Sequence, residues 1–263
     1  MCLPLRKKLQ STTLKYLFPV CAILVLLAVW QLVCMLGVIP NFMLPSPADV
    51  VRAFVKDFPL LMTHSVSTML ETILGLLIGI VIGFFTALLM DRFLWIRRSL
   101  YPLIVITQTV PTVAIAPLLV LWFGYETLPK VILVVIVVFF PIAVSLLDGF
   151  MSSDQDTINL MRSMGASKIQ IYRYVKFPGA LGSFFSSLKI SVSYAVVSAV
   201  ISEWLGGFNG LGVYMTRVKK AYSYDKMFAV IFLISALSLI LMGLVTVLQK
   251  KCMPWDKKGN LED

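Results

Sequence analysis

The sequence predicts an all-α, polytopic membrane protein with six transmembrane helices. The chain has 263 residues, of which 59% are hydrophobic and only 14% are charged, and its mean hydropathy is +0.91. Soluble domains are about 45–50% apolar and about 25% charged, so a soluble fold of this composition could not cover its surface with polar side chains. The apolar residues also gather into six runs, each near the roughly 17–25 residues that cross a bilayer as a helix. Helices are expected because a backbone in lipid must pair its own polar groups.

The six apolar runs define the domain organisation. A basic segment, residues 1–16, precedes the membrane domain of residues 17–248, and a polar tail, residues 249–263, follows it. A basic segment before an apolar run also describes a signal peptide, but the first run is longer than the roughly 7–15-residue core of a signal and no clear small-x-small cleavage site follows it. The runs cover residues 17–38, 66–90, 100–123, 129–147, 184–205 and 227–248.

The distribution of basic residues predicts the orientation. Of the 23 Lys and Arg residues, 16 fall on the side that holds both termini, the loop 91–99, the segment 149–183 and Lys189, and 7 fall on the other side. Lys and Arg are retained on the cytoplasmic side, so both termini are expected in the cytoplasm. The basic cluster at residues 217–220 is an exception, because this orientation places it outside.

The sequence contains no motif for chemistry of its own. There is no G-x-x-x-x-G-K-[ST] phosphate loop, no H-E-x-x-H and no G-x-S-x-G. The acidic residues are scattered, and neither the 4 cysteines nor the single histidine has metal-ligand spacing. We therefore expect no catalytic residue, no metal site and no cofactor bound by this chain. The net charge of +10 does not indicate a nucleic-acid partner, because no soluble segment is long enough to carry a basic face.

Two of the apolar runs contain residues that point to close packing or to a transport path. In the second run, Gly75, Gly79 and Gly83 share one helix face, which lets another helix approach closely, although glycine is also common in membrane helices. In the third run, prolines free backbone carbonyls, which are tolerated where they face protein or a water-filled path. This kinked region predicts either a lining of the translocation path or only a structural bend. Its residues are Pro102, Thr107, Gln108, Thr109, Pro111 and Pro117.

A further candidate for the path lies at the end of the fifth run, at Glu203 and Trp204. An ionised carboxylate at mid-depth costs about 2.5–3.5 kcal/mol on insertion scales, so it should face a polar cavity. Alternatively, the fifth helix ends here and Glu203 lies in the outer interface, because Gly206 and Gly207 follow directly. The sequence leaves both interpretations open.

The polar segment between the fourth and fifth runs is too polar to cross the membrane and too long for a simple turn. Asp154 or Asp156 can begin a helix, and Gly165 interrupts the following apolar pattern at a cost of about 1 kcal/mol relative to alanine. Two short helices hinged at Gly165–Ala166 explain this pattern, and Pro178 is expected to end the second one. Such an amphipathic elbow is either a docking surface for a soluble partner or an interfacial helix lying on the lipid.

The elbow resembles the EAA loop of ABC importer permeases. The resemblance covers the run NLMRSMGASKIQIYRYVKFPGAL, residues 159–181, in which Gly165, Ala166, Gln170 and Pro178 fall on fixed positions of the motif. Asn-Leu-Met stands where the motif has Glu-Ala-Ala, and Phe177 stands where it has Leu. The resemblance implies contact with a cytoplasmic ATP-binding subunit. The coupling residues that it implies are Asn159, Arg162, Gly165, Ala166, Ser167, Gln170, Tyr172 and Pro178.

Two further segments narrow the resemblance. They are LPSPADVVRAF, residues 44–54, and SEWLGGFNGLGVYM, residues 202–215. Both resemble the permeases of nitrate, taurine, aliphatic sulfonate and thiamine-pyrimidine-precursor importers. The sequence EWLGG, residues 203–207, favours the thiamine-precursor branch. The alternatives are a permease for a sulfonate, taurine or nitrate, or an ion-coupled secondary carrier. A carrier would need its own ion-coupling residues and usually internal repeats, and neither is evident.

The resemblance also implies an assembly. It implies a homodimer in the lipid bilayer of the bacterial inner membrane, with a cytoplasmic coupling-helix loop between the fourth and fifth of six spans. A substrate-binding protein outside the membrane would deliver the substrate. ATP would be used by the separate ATP-binding subunit, so this chain is not expected to be an enzyme.

Overall fold

The computed structural model describes residues 4–37, 39–40 and 42–255, and within these ranges all regular secondary structure is helical. The first three residues of the predicted basic segment, the last residues of the tail (256–263) and the predicted boundary residue Val38 lie outside the described residues. The helices are α1 (Pro4–Met35), α2 (Pro47–Lys56), α3 (Phe58–Arg92), α4 (Leu94–Thr109), α5 (Thr112–Phe123), α6 (Thr127–Met151), α7 (Gln155–Ser163), α8 (Lys168–Ile171), α9 (Phe177–Trp204), α10 (Leu211–Lys220) and α11 (Tyr224–Cys252), and a π-helical segment (Tyr172–Lys176) joins α8 to α9.

Five helices of the described chain are long and apolar enough to cross a bilayer. They are Leu17–Met35 within α1, α3, α6, the continuous helix Lys168–Trp204 and α11. A sixth crossing exists only if the bent pair α4 and α5 is one span, so the predicted count of six depends on that pair. Several helices also extend beyond the predicted apolar runs: α3 has 35 residues, or about 52 Å, whereas the hydrocarbon core is about 30 Å thick.

The third predicted run is broken at Pro111. The helices on either side of it, α4 and α5, meet at an angle of 97°. Proline has no backbone N–H and disfavours helical geometry at the residue before it, and Val110 is accordingly extended, with φ −78° and ψ 120°. Pro102 and Pro117 lie inside α4 and α5 without breaking them. The predicted kink is therefore localised at one of the three prolines.

The chain forms two compact units: residues up to 59 together with 217–231, and residues 60–216 together with those from 232 onward. In the first unit, the indole Nε1 of Trp30 in α1 donates a hydrogen bond to the Pro45 carbonyl at 3.1 Å. The Lys226 ammonium of α11 pairs with the Asp57 carboxylate at the end of α2, at 2.7 Å. These contacts hold α1, α2 and the beginning of α11 together within this unit.

In the second unit, α3 and α6 approach closely along the predicted glycine face. A Cβ atom added to Gly75 would lie 2.5 Å from the Cβ of Val134, and one added to Gly79 would lie 2.9 Å from Val138 Cγ1. One added to Gly83 would lie 2.9 Å from Cγ2 of Ile142. Real Cβ atoms do not approach so closely, so these positions admit only glycine as long as α6 stays where it is. The packing role predicted for the three glycines is confirmed.

α6 also packs against α9, and this contact forms the centre of the apolar core. A Cβ on Gly149 would lie 2.8 Å from the Cβ of Ala180, so these two helices are also in close contact. Apolar side chains from α3, α6 and α9 are buried here. Those that are almost fully buried include Met90, Ile142, Leu146, Leu147, Phe150 and Val192.

The segment between α6 and α9 folds as the predicted elbow. α7 ends at Ser163 and α8 begins at Lys168, with a tight turn between them. Gly165 in this turn has a φ of +81°, a left-handed conformation that costs L-residues about 1–2 kcal/mol. The hinge therefore favours glycine, or a residue such as asparagine that tolerates a positive φ.

The prediction that Pro178 ends the second elbow helix is wrong. α8 passes through the π-helical segment into α9, so the helix Lys168–Trp204 is continuous, and Pro178 lies in the first turn of α9. A proline ring normally clashes with the carbonyl four residues earlier, which here belongs to Tyr174 inside the π-helical segment. The wider turn of a π-helix relieves this clash, so the helix continues.

Candidate functional site

The elbow presents apolar side chains on its exposed surface. Leu160, Met164 and Ile169 expose 62%, 73% and 79% of their surface. Ile158 and Ile171 point the other way and are buried, which fixes α7 and α8 to their unit. Exposed apolar groups of this size mark a surface for protein or lipid rather than a solvated loop.

Two of the predicted coupling residues shape the elbow locally. The Ser167 N–H donates to Oε1 of Gln170 at 2.7 Å, and the Gln170 N–H donates to Oγ of Ser167 at 3.3 Å. This reciprocal pair is a capping box, which satisfies free N–H groups at the start of α8. Gln170, the glutamine of the motif, therefore stabilises the beginning of α8 within this chain.

The first elbow helix is capped by Asp154. A hydrogen bond from the Thr157 hydroxyl, together with the backbone N–H groups of Thr157 and Asp156, holds the pKa of Asp154 below its ordinary value. The carboxylate is the form that caps, so the cap is present at neutral pH and is lost only as the pH falls into the acidic range. Its position confirms the start of the helix that the sequence predicted.

The second half of the elbow is anchored to the end of α3 through Asp91. The Lys176 ammonium lies 2.8 Å from Oδ1 and 2.6 Å from Oδ2 of Asp91, whose side chain is only 5% exposed. The Tyr172 hydroxyl donates to the same carboxylate. Asp91 therefore joins the second half of the elbow to α3, and sequence reasoning missed this residue.

The predicted coupling residues all lie on the elbow or at its junction with α9, but at different depths. Five are exposed and three are half-buried. The exposed residues are Asn159, Arg162, Gly165, Ser167 and Gln170, and the half-buried ones are Ala166, Tyr172 and Pro178. Their contact with a partner stays a prediction.

A cavity of about 410 Å³ lies beside the break at Pro111, between the two halves of the bent pair, α6 and α9. Its walls combine hydroxyl and amide groups with apolar and aromatic side chains. The lining residues are Thr107, Gln108, Val110, Thr112, Ile115, Ile136, Val137, Phe140, Pro141, Tyr194, Val197, Ser198 and Ile201.

The predicted path residues divide between this cavity and other places. Gln108 lines the cavity, and Pro111 makes the break beside it. Thr109 is exposed, and its hydroxyl donates to the Ile106 carbonyl at 2.8 Å. Trp204 is 46% exposed at the end of α9, and neither it nor Glu203 is among the described residues that line the cavity. Glu203 therefore does not line this cavity.

Glu203 instead belongs to a buried polar cluster of His64, Thr68, Glu71, Lys130 and Glu203, each at most 4% exposed. The Lys130 ammonium lies 2.7 Å from Oε1 of Glu71, and the Thr68 hydroxyl donates to Oε1 of Glu203 at 2.7 Å. The one ammonium partly compensates two carboxyl groups within the bundle.

Glu203 is the only member of this cluster that the sequence analysis named as a candidate site residue. The signal that could have found the others is an ionisable side chain within an apolar run, as at Glu71 and Lys130. Within the described ranges, no three His, Cys, Asp or Glu side chains come together as a metal-ligand set.

Residues 79–253, which include the bent pair, the elbow and part of the buried polar cluster, match the family of binding-protein-dependent transport system inner membrane components. The chain belongs to this family. It is therefore a multi-pass membrane permease of the ABC importer group.

Curated relatives of this permease agree with the family. A probable ABC transporter permease protein of Haemophilus influenzae is 37% identical over 228 residues, which cover 87% of this chain and 93% of the relative. The formylaminopyrimidine transport permease protein ThiX of Halalkalibacterium halodurans is 36% identical over 242 residues, which cover 91% of this chain and 96% of the relative.

Solved structures show the same fold. The MetNI methionine ABC transporter, in an inward-facing conformation, superposes with a TM-score of 0.62 and 19% identity, over 74% of this chain and 95% of the other. At this level of identity the likeness concerns the fold alone.

Proposed function

We propose that this permease forms the substrate path of an ATP-driven importer and couples to a separate ATP-binding subunit through the elbow. The observation that carries the proposal is the exposed apolar surface of Leu160, Met164 and Ile169, in a chain that belongs to an importer family. The elbow is held at both ends by membrane helices, so a force on it reaches the spans directly.

The family also supports a proposed assembly. Two copies of the chain form the membrane channel, with both termini and the elbow in the cytoplasm of a bacterial cell. Each copy contacts one ATP-binding subunit, which binds and hydrolyses the ATP. A substrate-binding protein outside the inner membrane delivers the substrate. The 16 of 23 Lys and Arg residues that fall on the side of the elbow agree with this orientation.

We propose a thiamine-pyrimidine precursor, of the formylaminopyrimidine class, as the substrate. The relative ThiX, which matches 91% of this chain, transports such a compound by its name. The cavity beside Pro111 is suited to a planar heterocycle, because aromatic residues Phe140 and Tyr194 and the amide of Gln108 line it. None of its described lining residues is Lys or Arg, which favours this substrate over sulfonate, taurine or nitrate.

The first experiment is affinity purification of the tagged chain from gently solubilised native membranes, followed by mass spectrometry. We expect an ATP-binding subunit and a binding protein to copurify. The binding protein is then titrated with formylaminopyrimidine and, as the matched comparison, with taurine. Tighter binding of taurine would overturn the substrate, and absence of an ATP-binding subunit even after cross-linking would overturn the coupling role in favour of an ion-coupled carrier.

We predict that Gly165→Leu leaves the permease inserted but weakens coupling. The left-handed conformation of this residue costs a leucine about 1–2 kcal/mol, which corresponds to a roughly tenfold loss of the competent elbow geometry. ATP hydrolysis stimulated by the loaded binding protein, measured in proteoliposomes, should fall accordingly.

The matched control for the hinge is Gly165→Asn, because asparagine tolerates the left-handed region and no atom lies within 4 Å of the added Cβ. It should retain most of the stimulated hydrolysis. Transport at the wild-type rate in Gly165→Leu would contradict a coupling role for this turn.

We predict that Gln108→Leu lowers uptake of the pyrimidine, because the cavity loses a side-chain amide that can hydrogen-bond the ring. One lost bond to an uncharged group is worth about 0.5–1.5 kcal/mol, so uptake should fall several-fold at low substrate concentration. Thr109→Val is the control, since the Thr109 hydroxyl is already bonded to the Ile106 carbonyl. Equal effects of the two substitutions on uptake would argue against the cavity as the path.

A further inference from the structure

The beginning of α10 is held by side chains from two other helices. Three consecutive backbone N–H groups donate to three buried acceptors: Gly210 to Nδ1 of His64 at 3.0 Å, Leu211 to Oγ1 of Thr68 at 2.9 Å, and Gly212 to Oε2 of Glu203 at 2.6 Å. The first N–H groups of a helix have no partner within the helix. Here all three are satisfied from outside it.

The acceptors are arranged by regular helix geometry. His64 and Thr68 are four residues apart on α3, so they lie one above the other on the same helix face. Glu203 is the second-last residue of α9 and reaches both Thr68 and Gly212 with its two oxygens. We call His64, Thr68 and Glu203 together the α10 seat.

The seat leaves no room for a side chain at Gly210 or at Gly212. A Cβ on Gly210 would lie 2.2 Å from Oε1 of Glu203, and Gly210 has a φ of +128°, which disfavours any other residue. A Cβ on Gly212 would lie 2.3 Å from the Val200 carbonyl oxygen. The spacing of Glu203, Gly210 and Gly212 in the sequence is thus explained by one contact surface.

The carboxyl group of Glu203 also suits this position. The free N–H groups at a helix N-terminus carry partial positive charge, and the oxygens of Glu203 are placed to accept from them. Lys130 reinforces the same region, because its ammonium pairs with Glu71 and lies 3.4 Å from the Asn209 carbonyl, one residue before the seated N–H groups. Every polar atom of Glu203 therefore faces protein rather than a path.

We propose that Glu203 is a positioning residue, which fixes α10 to α3 and α9 through the α10 seat. In this role it acts through hydrogen bonds to Thr68 and to the Gly212 N–H, and it does not contact the substrate. The consequence is that the connection between the fifth span and α10 has one defined geometry at the membrane boundary.

The hydrogen-bonding role distinguishes glutamine from alanine. In Glu203→Gln, the amide oxygen can still accept from Gly212, and the amide N–H₂ can donate to Thr68, whose own hydroxyl can turn to the His64 carbonyl at 3.2 Å. In Glu203→Ala, the buried Gly212 N–H and the Thr68 hydroxyl both lose this acceptor. A path residue that acts through its charge would behave differently, because glutamine removes the charge as fully as alanine does.

The test measures how well α10 is seated. Val213 on α10 is 5% exposed, so a cysteine in its place should react slowly with N-ethylmaleimide in the full-length chain, reconstituted in nanodiscs after Ser replaces the four natural cysteines. Adding Glu203→Ala should raise the labelling rate roughly tenfold or more, since unmade buried hydrogen bonds favour opening. Adding Glu203→Gln should keep the rate within about threefold of the parent. A cysteine at the exposed Lys219 of the same helix is the control, and its rate should not change.

Two results would overturn the proposal. One is a Val213→Cys labelling rate that Glu203→Ala leaves unchanged. The other is a Glu203→Gln variant that labels as fast as alanine or changes the KM for uptake while the seat stays closed. If Glu203→Ala does not yield folded protein, Thr68→Val against Thr68→Ser provides the same comparison, because only serine keeps the acceptor for Leu211. The labelling uses no substrate or ATP, so its outcome is independent of the transported compound.

Discussion

Replacement of Gly75 by leucine is expected to prevent α3 and α6 from packing. An added Cβ alone would come within 2.5 Å of two Val134 atoms and 3.1 Å of the Val131 carbonyl oxygen. The backbone oxygen cannot move aside as the end of a flexible side chain could, so the helices must separate. Overpacking by extra methylene groups typically costs about 1–3 kcal/mol of folding stability. Because leucine adds four carbon atoms, the loss of stability should lie at or above the upper end of this range. Fluorescence-detected gel filtration in detergent measures the yield of monodisperse permease.

The matched control for this prediction is Gly243→Leu on α11. No atom lies within 4 Å of a Cβ added to Gly243, so the same change of side chain should leave yield and melting temperature nearly unaltered. If the two variants gave the same yield, the close approach of α3 to α6 would not contribute to stability.

The glycine spacing illustrates what a sequence can predict about a membrane bundle. A period of four residues identifies the face of α3 that permits close approach, because only the helix repeat is needed to derive it. It does not identify the partner, since Val134 on α6 lies 59 residues after Gly75 and any apolar helix could have matched. Val134, Val138 and Ile142 have the same spacing of four, but branched apolar residues are common in every span. The partner helix therefore had to come from the structure.

The elbow was more predictable, because its signals are local. A cap at Asp154, a glycine at the turn and alternating burial of apolar residues all lie within a short segment. The error at Pro178 arose from the rule that proline ends a helix. The rule does not hold here, because the wider turn of the π-helical segment accommodates the proline ring. Asp91 was missed for another reason: it is far from the elbow in sequence and meets Lys176 only after folding.

The α10 seat could not have been assembled from the sequence. Its members lie in α3 and α9, and they meet the backbone of a third helix. Glu203 was singled out because a carboxylate near the end of an apolar run is unusual, but the partner groups are backbone N–H groups, which every sequence contains. An unusual residue such as Glu203 therefore indicates a specific polar contact, but it does not identify the groups that make this contact.

Lys130→Met is also expected to lower the stability of the permease strongly. Lys130 and Glu71 form a salt bridge at 2.7 Å, with side chains only 6% and 4% exposed. Methionine preserves the length and the apolar stem but leaves the Glu71 carboxyl buried without its cation. Removing one partner of a buried pair costs about 3–5 kcal/mol, which lowers the melting temperature by about 6–20 °C for a chain of this size.

The control for charge removal is Arg52→Met, which breaks the pair with Asp49. That pair is 3.4 Å long with side chains 78% and 44% exposed, so its loss should cost about 0–1 kcal/mol. A double variant, Glu71→Leu with Lys130→Met, should be more stable than Lys130→Met alone, because two apolar groups replace a buried pair without leaving a charge unpaired. Strictly additive losses of the two substitutions would contradict a direct interaction between them.

The salt bridge and the glycine contacts belong to one arrangement. Glu71 and Lys130 are separated by 59 residues in the chain, and the same separation relates Gly75 to Val134, Gly79 to Val138 and Gly83 to Ile142. The two parallel helices are thus in contact every four residues, and the ion pair is the first of these contacts. A shift by one turn would place a branched side chain opposite the carboxylate and leave the ammonium against an apolar wall. The register is therefore held by a polar pair at one end and by steric fit along the rest, so Lys130→Met should also loosen the packing at Gly75 next to it, which cysteine labelling at Val134 can measure.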